Sequence, residues 1–163
     1  MEAIFGVLPV AVILILIWFV YSNISLAVTI FRAKKKDPSL ASCQSRLGTY
    51  FYIGLVLVYV ILLIISVIFM IILYLDKEQN IIYYILNSIT IFSFACSYLF
   101  QQIIYVGHRQ MLIGKILLDY RKIKRVTFPK DSQLQFVYGQ KTYHTSLWFV
   151  DDFQLKKALQ KAR

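Results

Sequence analysis

Charge is scarce in this chain. Only 16% of its 163 residues are Asp, Glu, Lys or Arg, against about 25% in an average soluble domain. Acid is scarcer still, with eight Asp and Glu against 18 Lys and Arg and a net charge of +10. Six glycines and three prolines are too few for a collagen-like or low-complexity chain. Two cysteines cannot staple a secreted disulfide scaffold. What fills the space is apolar: 59% of the residues are hydrophobic and 16% aromatic, which excludes a disordered chain. A soluble fold of this length has too little interior to hide so much apolar surface. That argues against a cytosolic enzyme and for a small integral membrane protein.

The apolar residues fall into blocks. A helix needs about 20 residues, at 1.5 Å rise each, to cross a hydrocarbon core of roughly 30 Å. Uncharged runs at about 3–30, 49–75 and 81–107 all exceed that length, so three transmembrane helices are expected, tilted or extended beyond the lipid. The first is expected to be a permanent span, not a cleaved signal peptide, because no Lys or Arg precedes Arg32 and its apolar run is too long. Pro9 lies in its first turns, where a missing amide proton costs least. Ser22, Asn23 and Ser25 form a polar cluster suited to packing against a neighbouring helix or to the headgroup zone.

Basic residues predict the orientation. The loop 31–48 carries Arg32, Lys34, Lys35, Lys36 and Arg46, the short loop 76–80 carries Lys77 alone, and the segment after 107 carries the other twelve. Cytoplasmic segments are enriched in Lys and Arg. The expected topology of this multi-pass membrane protein therefore has the N-terminus outside and the C-terminus in the cytoplasm. An impermeant thiol reagent is expected to reach Cys43, in the first loop, only once the membrane is opened. Most of the net charge is absorbed by this topology. A further reading is contact with anionic lipid headgroups through Lys34, Lys35, Lys36, Arg121, Lys122, Lys124 and Arg125, with Lys115 nearby, each residue contributing about 1 kcal/mol. No nucleic-acid motif accompanies the charge, so nucleic acid is not an expected partner.

The segment 108–163 reads as a small cytoplasmic α+β tail domain, after a transmembrane domain at 1–107. Residues 133–138 (QLQFVY) alternate, with Leu134, Phe136 and Tyr138 on one face, and residues 142–149 alternate as well. Period two means strand. Gly139-Gln140-Lys141 suits a hairpin connection, and Pro129-Lys130-Asp131-Ser132 has turn chemistry after a strand at about 124–128. Asp151-Asp152 precedes a helical pattern through Leu155, Ala158, Leu159 and Ala162, the acids complementing the helix start. Residues 110–123 fit either period; a strand with a short helical turn near Tyr120 is the preferred reading. A domain of about 55 residues is small for an independent core, so it is expected to lean on the membrane surface, the first loop or a partner.

The segments 119–126 (DYRKIKRV), 129–136 (PKDSQLQF) and 151–159 (DDFQLKKAL), together with 51–58 (FYIGLVLV) in the second span, resemble the YobD-like family of small bacterial inner-membrane proteins. The resemblance covers most of the chain after Arg46 in order and spacing. It implies three spans with a cytoplasmic β-rich tail and, because some members are encoded near mannose phosphotransferase permeases, an association with a sugar permease. It carries over no catalytic residue.

Polar residues inside a span are where function is sought first. Asn87, Thr90, Ser93, Ser97 and Gln101 fall at spacings of three, three, four and four, on one helix face, widened by Ser88 and Gln102. They read as a helix-packing face or as a polar path for a solute, and packing is favoured because no span has an ionisable residue near its middle. His108, His144, Asp151 and Asp152 match no metal-site spacing, and neither a nucleophile elbow nor a Gly-rich phosphate loop is present. The expectation is a non-enzymatic accessory or regulatory subunit of a membrane assembly, with no cofactor or metal. Its expected partners are membrane lipid and a permease or other membrane protein. An oligomeric small transporter or channel subunit, and an anionic-lipid-binding module, are the alternatives.

Overall fold

A computed structural model describes residues 2–76, 79–130, 133–147 and 149–161. Three long helices come first: α1 (Glu2–Lys36), α2 (Arg46–Leu75) and α3 (Gln79–Phe100). The stretches Pro9–Lys36, Arg46–Leu75 and Asn80–Phe100 are long and apolar enough to cross a membrane. The chain divides into two compact units, one holding residues up to 25 with 53–98, the other residues 26–52 with 99 onward.

In the first unit α3 is the helix the others use. Its most apolar stretch is 28% buried, against 6% for α2. Phe94 meets Phe19 of α1 with ring centroids 5.3 Å apart, and Phe92 meets Tyr59 of α2 at 6.2 Å. The buried face of α3 runs through Leu86, Ile89, Thr90, Ser93, Cys96 and Ser97. Its lower half is Ser, Cys and Ser, small residues that let helix backbones approach.

The second unit contains two antiparallel sheets. The first has the order β1 (Ala41–Ser42), β2 (Ile104–Val106), β3 (Gln110–Ile113) and β4 (Ile116–Asp119). A 3-10 turn, Tyr120–Lys122, leads into the second sheet of β5 (Ile123–Lys130), β6 (Gln133–Tyr138) and β7 (Lys141–Ser146), and α4 (Asp152–Lys161) follows. One core joins Ile104, Met111, Ile113 and Leu118 of the first sheet to Leu134 and Phe136 of the second, with Cys43 from the first loop and Leu155 from α4. The opposite face of the first sheet is covered too: Leu112 packs with Ala33 and Leu40, and Ile30, Tyr105 and Leu117 join them. A strand buried on both faces loses its alternation. That is why 110–123 reads ambiguously as sequence, although strands and a turn at Tyr120 are what forms.

Caps and turns follow the local chemistry. The carboxylate of Asp151 accepts from the amides of Phe153 (3.1 Å) and Gln154 (3.2 Å), capping α4. Asp37 accepts from the Ser39 amide at 3.0 Å just past α1, and the Ser39 hydroxyl accepts from the His108 amide at 3.0 Å. Lys34, Lys35 and Lys36 occupy the last turn of α1, where cations are favoured by the helix dipole.

Several expected boundaries move. The third helix ends at Phe100 and not at 107, because Ile104–Val106 forms β2, with Ile104 fully buried in the sheet core. Apolar content alone does not separate a span from a buried strand. The loop 31–48 is not simply a loop: α1 continues to Lys36, and Ala41–Ser42 pairs with Tyr105 and Val106 as an edge strand. Beyond it, the Cys43 amide donates to the Ile104 carbonyl (3.0 Å), the Asp151 amide to the Cys43 carbonyl (2.9 Å), and the Ser45 amide to the Phe149 carbonyl (2.8 Å). Cys43 is thus buried at 2% exposure, and a thiol reagent meets it only on unfolding; an orientation probe belongs at an exposed site such as Lys36. Strand β7 closes at Ser146, short of 149. Asp131, Ser132, Trp148, Ala162 and Lys77 lie outside the described residues.

Phe149 sits at φ 58, a left-handed conformation that a bulky residue adopts at a cost. Its ring stacks on Phe51 at 5.1 Å. Its backbone lies flush against Gly48 in the first turn of α2: a Cβ there would come 2.6 Å from Phe149 Cβ and 2.8 Å from its carbonyl oxygen. Gly48→Ala is therefore expected to destabilise the second unit by about 1–3 kcal/mol, seen as a lowered unfolding temperature in detergent. An unchanged temperature would show that this contact is loose.

Candidate functional site

The polar face expected on the third span is split by the structure. Thr90, Ser93 and Ser97 are buried, whereas Asn87 and Gln101 are exposed. For Asn87 the reason is geometric: it lies at the edge of a stripe whose centre follows 86, 90, 93 and 97. The Thr90 hydroxyl donates to the Leu86 carbonyl of its own helix at 2.7 Å. The Ser93 hydroxyl is buried with no hydrogen-bond partner. Gln101 lies beyond the helix, immediately after Phe100. Gln102, which widens the stripe in the sequence, is buried.

The basic residues sit on separate elements. Lys34, Lys35 and Lys36 are exposed at the end of α1, and Lys34 Nζ lies 5.0 Å above the Tyr105 ring, a cation–π distance. Arg121 and Lys122 are exposed on the 3-10 turn, and Arg125 is exposed on β5. Lys124 lies in β5, its side chain outside the described ones. Asp119 fixes the 3-10 turn by accepting from the Arg121 amide at 3.0 Å, so the two basic side chains start from a defined backbone.

The second unit also presents a groove of about 330 Å³, lined by Gln101, Ile113, Gly114, Lys115, Ile116, Phe136, Tyr143, His144 and Thr145. Its wall is built from two hairpins. Ile113 and Ile116 face each other across the Gly114-Lys115 turn, and Gly114 takes φ +54, as such turns require. The Gly114 amide donates to the Ile103 carbonyl at 3.1 Å, and a Cβ at Gly114 would come 2.8 Å from the Gln101 carbonyl oxygen. This close approach fixes the turn beside the end of α3. On the other side Phe136 and Tyr143 are paired across β6 and β7, with rings stacked at 5.4 Å and 10°. Lys115, Ile116 and His144 are exposed at the rim, while Phe136 and Ile113 are buried. The hairpin register of β6 and β7 brings Phe136 and Tyr143 together, whereas the placement of Lys115 beside the same groove depends on how two separate sheets pack.

Among the described residues no three His, Cys, Asp or Glu gather to hold a metal ion. His144 stands at the groove rim and His108 beyond β2, on separate elements. Burial pushes the phenols of Tyr105 and Tyr120 above their usual range, and Cys43 and Asp37 push Tyr120 further; both stay neutral at ordinary pH. No protein-family model matches the chain, and no curated protein or solved structure matches it.

The raised Tyr120 sets an alkaline limit. A phenol whose folded-state pKa is raised stabilises the fold fully below its unfolded value, roughly pH 10, and that contribution is lost as pH climbs from there towards the folded value. Thermal unfolding is expected to fall steeply above pH 10 and to fall less in Tyr120→Phe. Parallel curves for the two proteins would show that Tyr120 carries none of the loss.

Proposed function

We propose that the protein is a non-enzymatic accessory or regulatory subunit of a membrane assembly such as a sugar permease, in a bacterial plasma (inner) membrane. Its N-terminus is outside and its second unit faces the cytoplasm, as the excess of Lys and Arg around the loop 31–48 and after 107 supports. The resemblance to the YobD-like family supports the permease association.

The observation that carries the reading is Asn87. It is exposed on α3, eight residues and about 12 Å along the helix from Gln79. Ser88 and Ile91 are exposed with it, on a face the chain's own helices leave uncovered. A primary amide facing hydrocarbon is costly, and polar groups at such positions serve as contacts between helices. A second protein, or a second copy of this chain, satisfies it. The buried Ser93, by contrast, is already used inside the chain.

Protein taken gently from its native membrane is expected to carry a membrane partner. Asn87→Leu should lower the recovered partner about three- to tenfold, the range of an interhelical hydrogen bond in lipid, while Ser93→Ala leaves it unchanged. A lone monomer in several mild detergents, or undiminished recovery with Asn87→Leu, would overturn the proposal.

A further inference from the structure

We infer that the outer edge of β7 is a docking site for an extended peptide segment of a partner protein. The segment carries an apolar residue followed two positions later by an acidic one, and it adds to the sheet as a further strand. This surface is separate from Asn87, so the failure of either reading leaves the other standing.

The edge itself is the first observation. β7 pairs with β6 through six consecutive partners, Lys141 to Ser146, and with no other strand among the described residues. The two-residue loop Gly139-Gln140 makes Tyr138 and Lys141 a hydrogen-bonded pair, and such pairs alternate along an antiparallel ladder. Lys141, Tyr143 and Thr145 therefore turn their backbone groups to β6, and Thr142, His144 and Ser146 turn theirs outward. Among the described residues no backbone group pairs with those outward amides and carbonyls. Thr142 and His144 are exposed. The other edge of this sheet is guarded: β5 contains Pro129 and breaks register twice, devices that discourage a further strand. β7 has neither.

The groove is the second. Successive side chains of a strand point to opposite faces, yet Tyr143, His144 and Thr145 all line the groove of about 330 Å³. It therefore runs off the edge of β7 and not over one face, and residues 113–116 of the β3–β4 hairpin line it as well. A strand laid there, about 4.8 Å from β7, sets the side chain opposite Tyr143 on the face where the Phe136 and Tyr143 rings stack. Ile113 and Ile116 add to that apolar lining, which suits Leu, Ile or Val.

Charge is the third. Lys141 shares the face of Tyr143, is exposed, and has no ion pair among the described residues. Every strand pair in the two sheets is antiparallel. In that arrangement the partner residue opposite Lys141 comes two after the one opposite Tyr143, and a carboxylate there completes an ion pair. Backbone hydrogen bonds then supply the affinity and the alternate side chains the specificity.

The test is fluorescence anisotropy of a fluorescein-labelled, end-blocked hexapeptide, TVTLTE, with the full chain in nanodiscs of zwitterionic lipid. Its Leu falls opposite Tyr143 and its Glu opposite Lys141, and saturable binding is expected. N-methylation of its third and fifth residues, whose amides face β7, should weaken binding about tenfold or more, as loss of two hydrogen bonds does. N-methylation of the second and fourth, whose amides face away, should leave it unchanged. Lys141→Glu should weaken TVTLTE and strengthen TVTLTK, each about threefold, within the range of an exposed ion pair. His144→Pro removes an outward amide that β6 does not use and should abolish binding; the methylated peptides read the edge even where that variant unfolds. No saturable binding, equal effects of the two methylation patterns, or an unaltered charge preference in Lys141→Glu would each overturn the assignment. So would dimers of the chain that His144→Pro dissolves, because a second copy then occupies the edge.

Discussion

Residues 41–45 have backbone amides and carbonyls that must find partners once the segment leaves α1 and has to re-enter α2, and the answer is strand pairing on both sides. Ala41 and Ser42 pair with β2, the Cys43 amide with Ile104, and the carbonyl of Cys43 with Asp151. An unpaired buried amide or carbonyl costs about 1–3 kcal/mol, so this ladder leaves the loop little freedom. It brings the end of α1, the start of α2 and the tail into one compact unit. A tail of some 55 residues is small for an independent core; here Cys43, Ala33 and Leu40 add apolar contacts to it. Gly48 and Phe149 then set how closely the start of α2 can approach.

Much of this is legible in the sequence. Three long uncharged runs read as helices, because a lone segment crossing a bilayer satisfies its own backbone in that way, although the third run also holds β2. The hairpin of β6 and β7 was legible because one face of it is polar, which preserves the alternation of Leu134, Phe136 and Tyr138. The cap at Asp151 was legible because capping is local. Less legible was everything decided by contacts far apart in sequence. Ile104 and Tyr105 continue the apolar run of α3 without a break, so β2 hides inside the apparent third span. Met111, Leu112 and Leu118 are apolar on both faces of their sheet. The short β1 carries no pattern of its own, since two residues have no period.

The candidate sites divide in the same way. Helical spacing brings Thr90, Ser93 and Ser97 onto one face, and the structure buries all three. It does not reveal that Asn87 falls outside that buried face, since the width of a packed stripe depends on how closely the other helices approach. The groove is invisible in the sequence, because Lys115 and His144 stand on hairpins of two separate sheets and line it together only through the packing of those sheets.

The account depends above all on the first loop being part of the tail's sheet. Amide hydrogen exchange of the full chain in nanodiscs reads this directly. The amides of Cys43 and Ser45 should exchange as slowly as those of Ile104, Met111 and Leu118, and should open together with them as denaturant is added. Rapid exchange at Cys43 and Ser45 while β3 and β4 remain protected would contradict it, and would return the loop to a simple connection between two membrane helices.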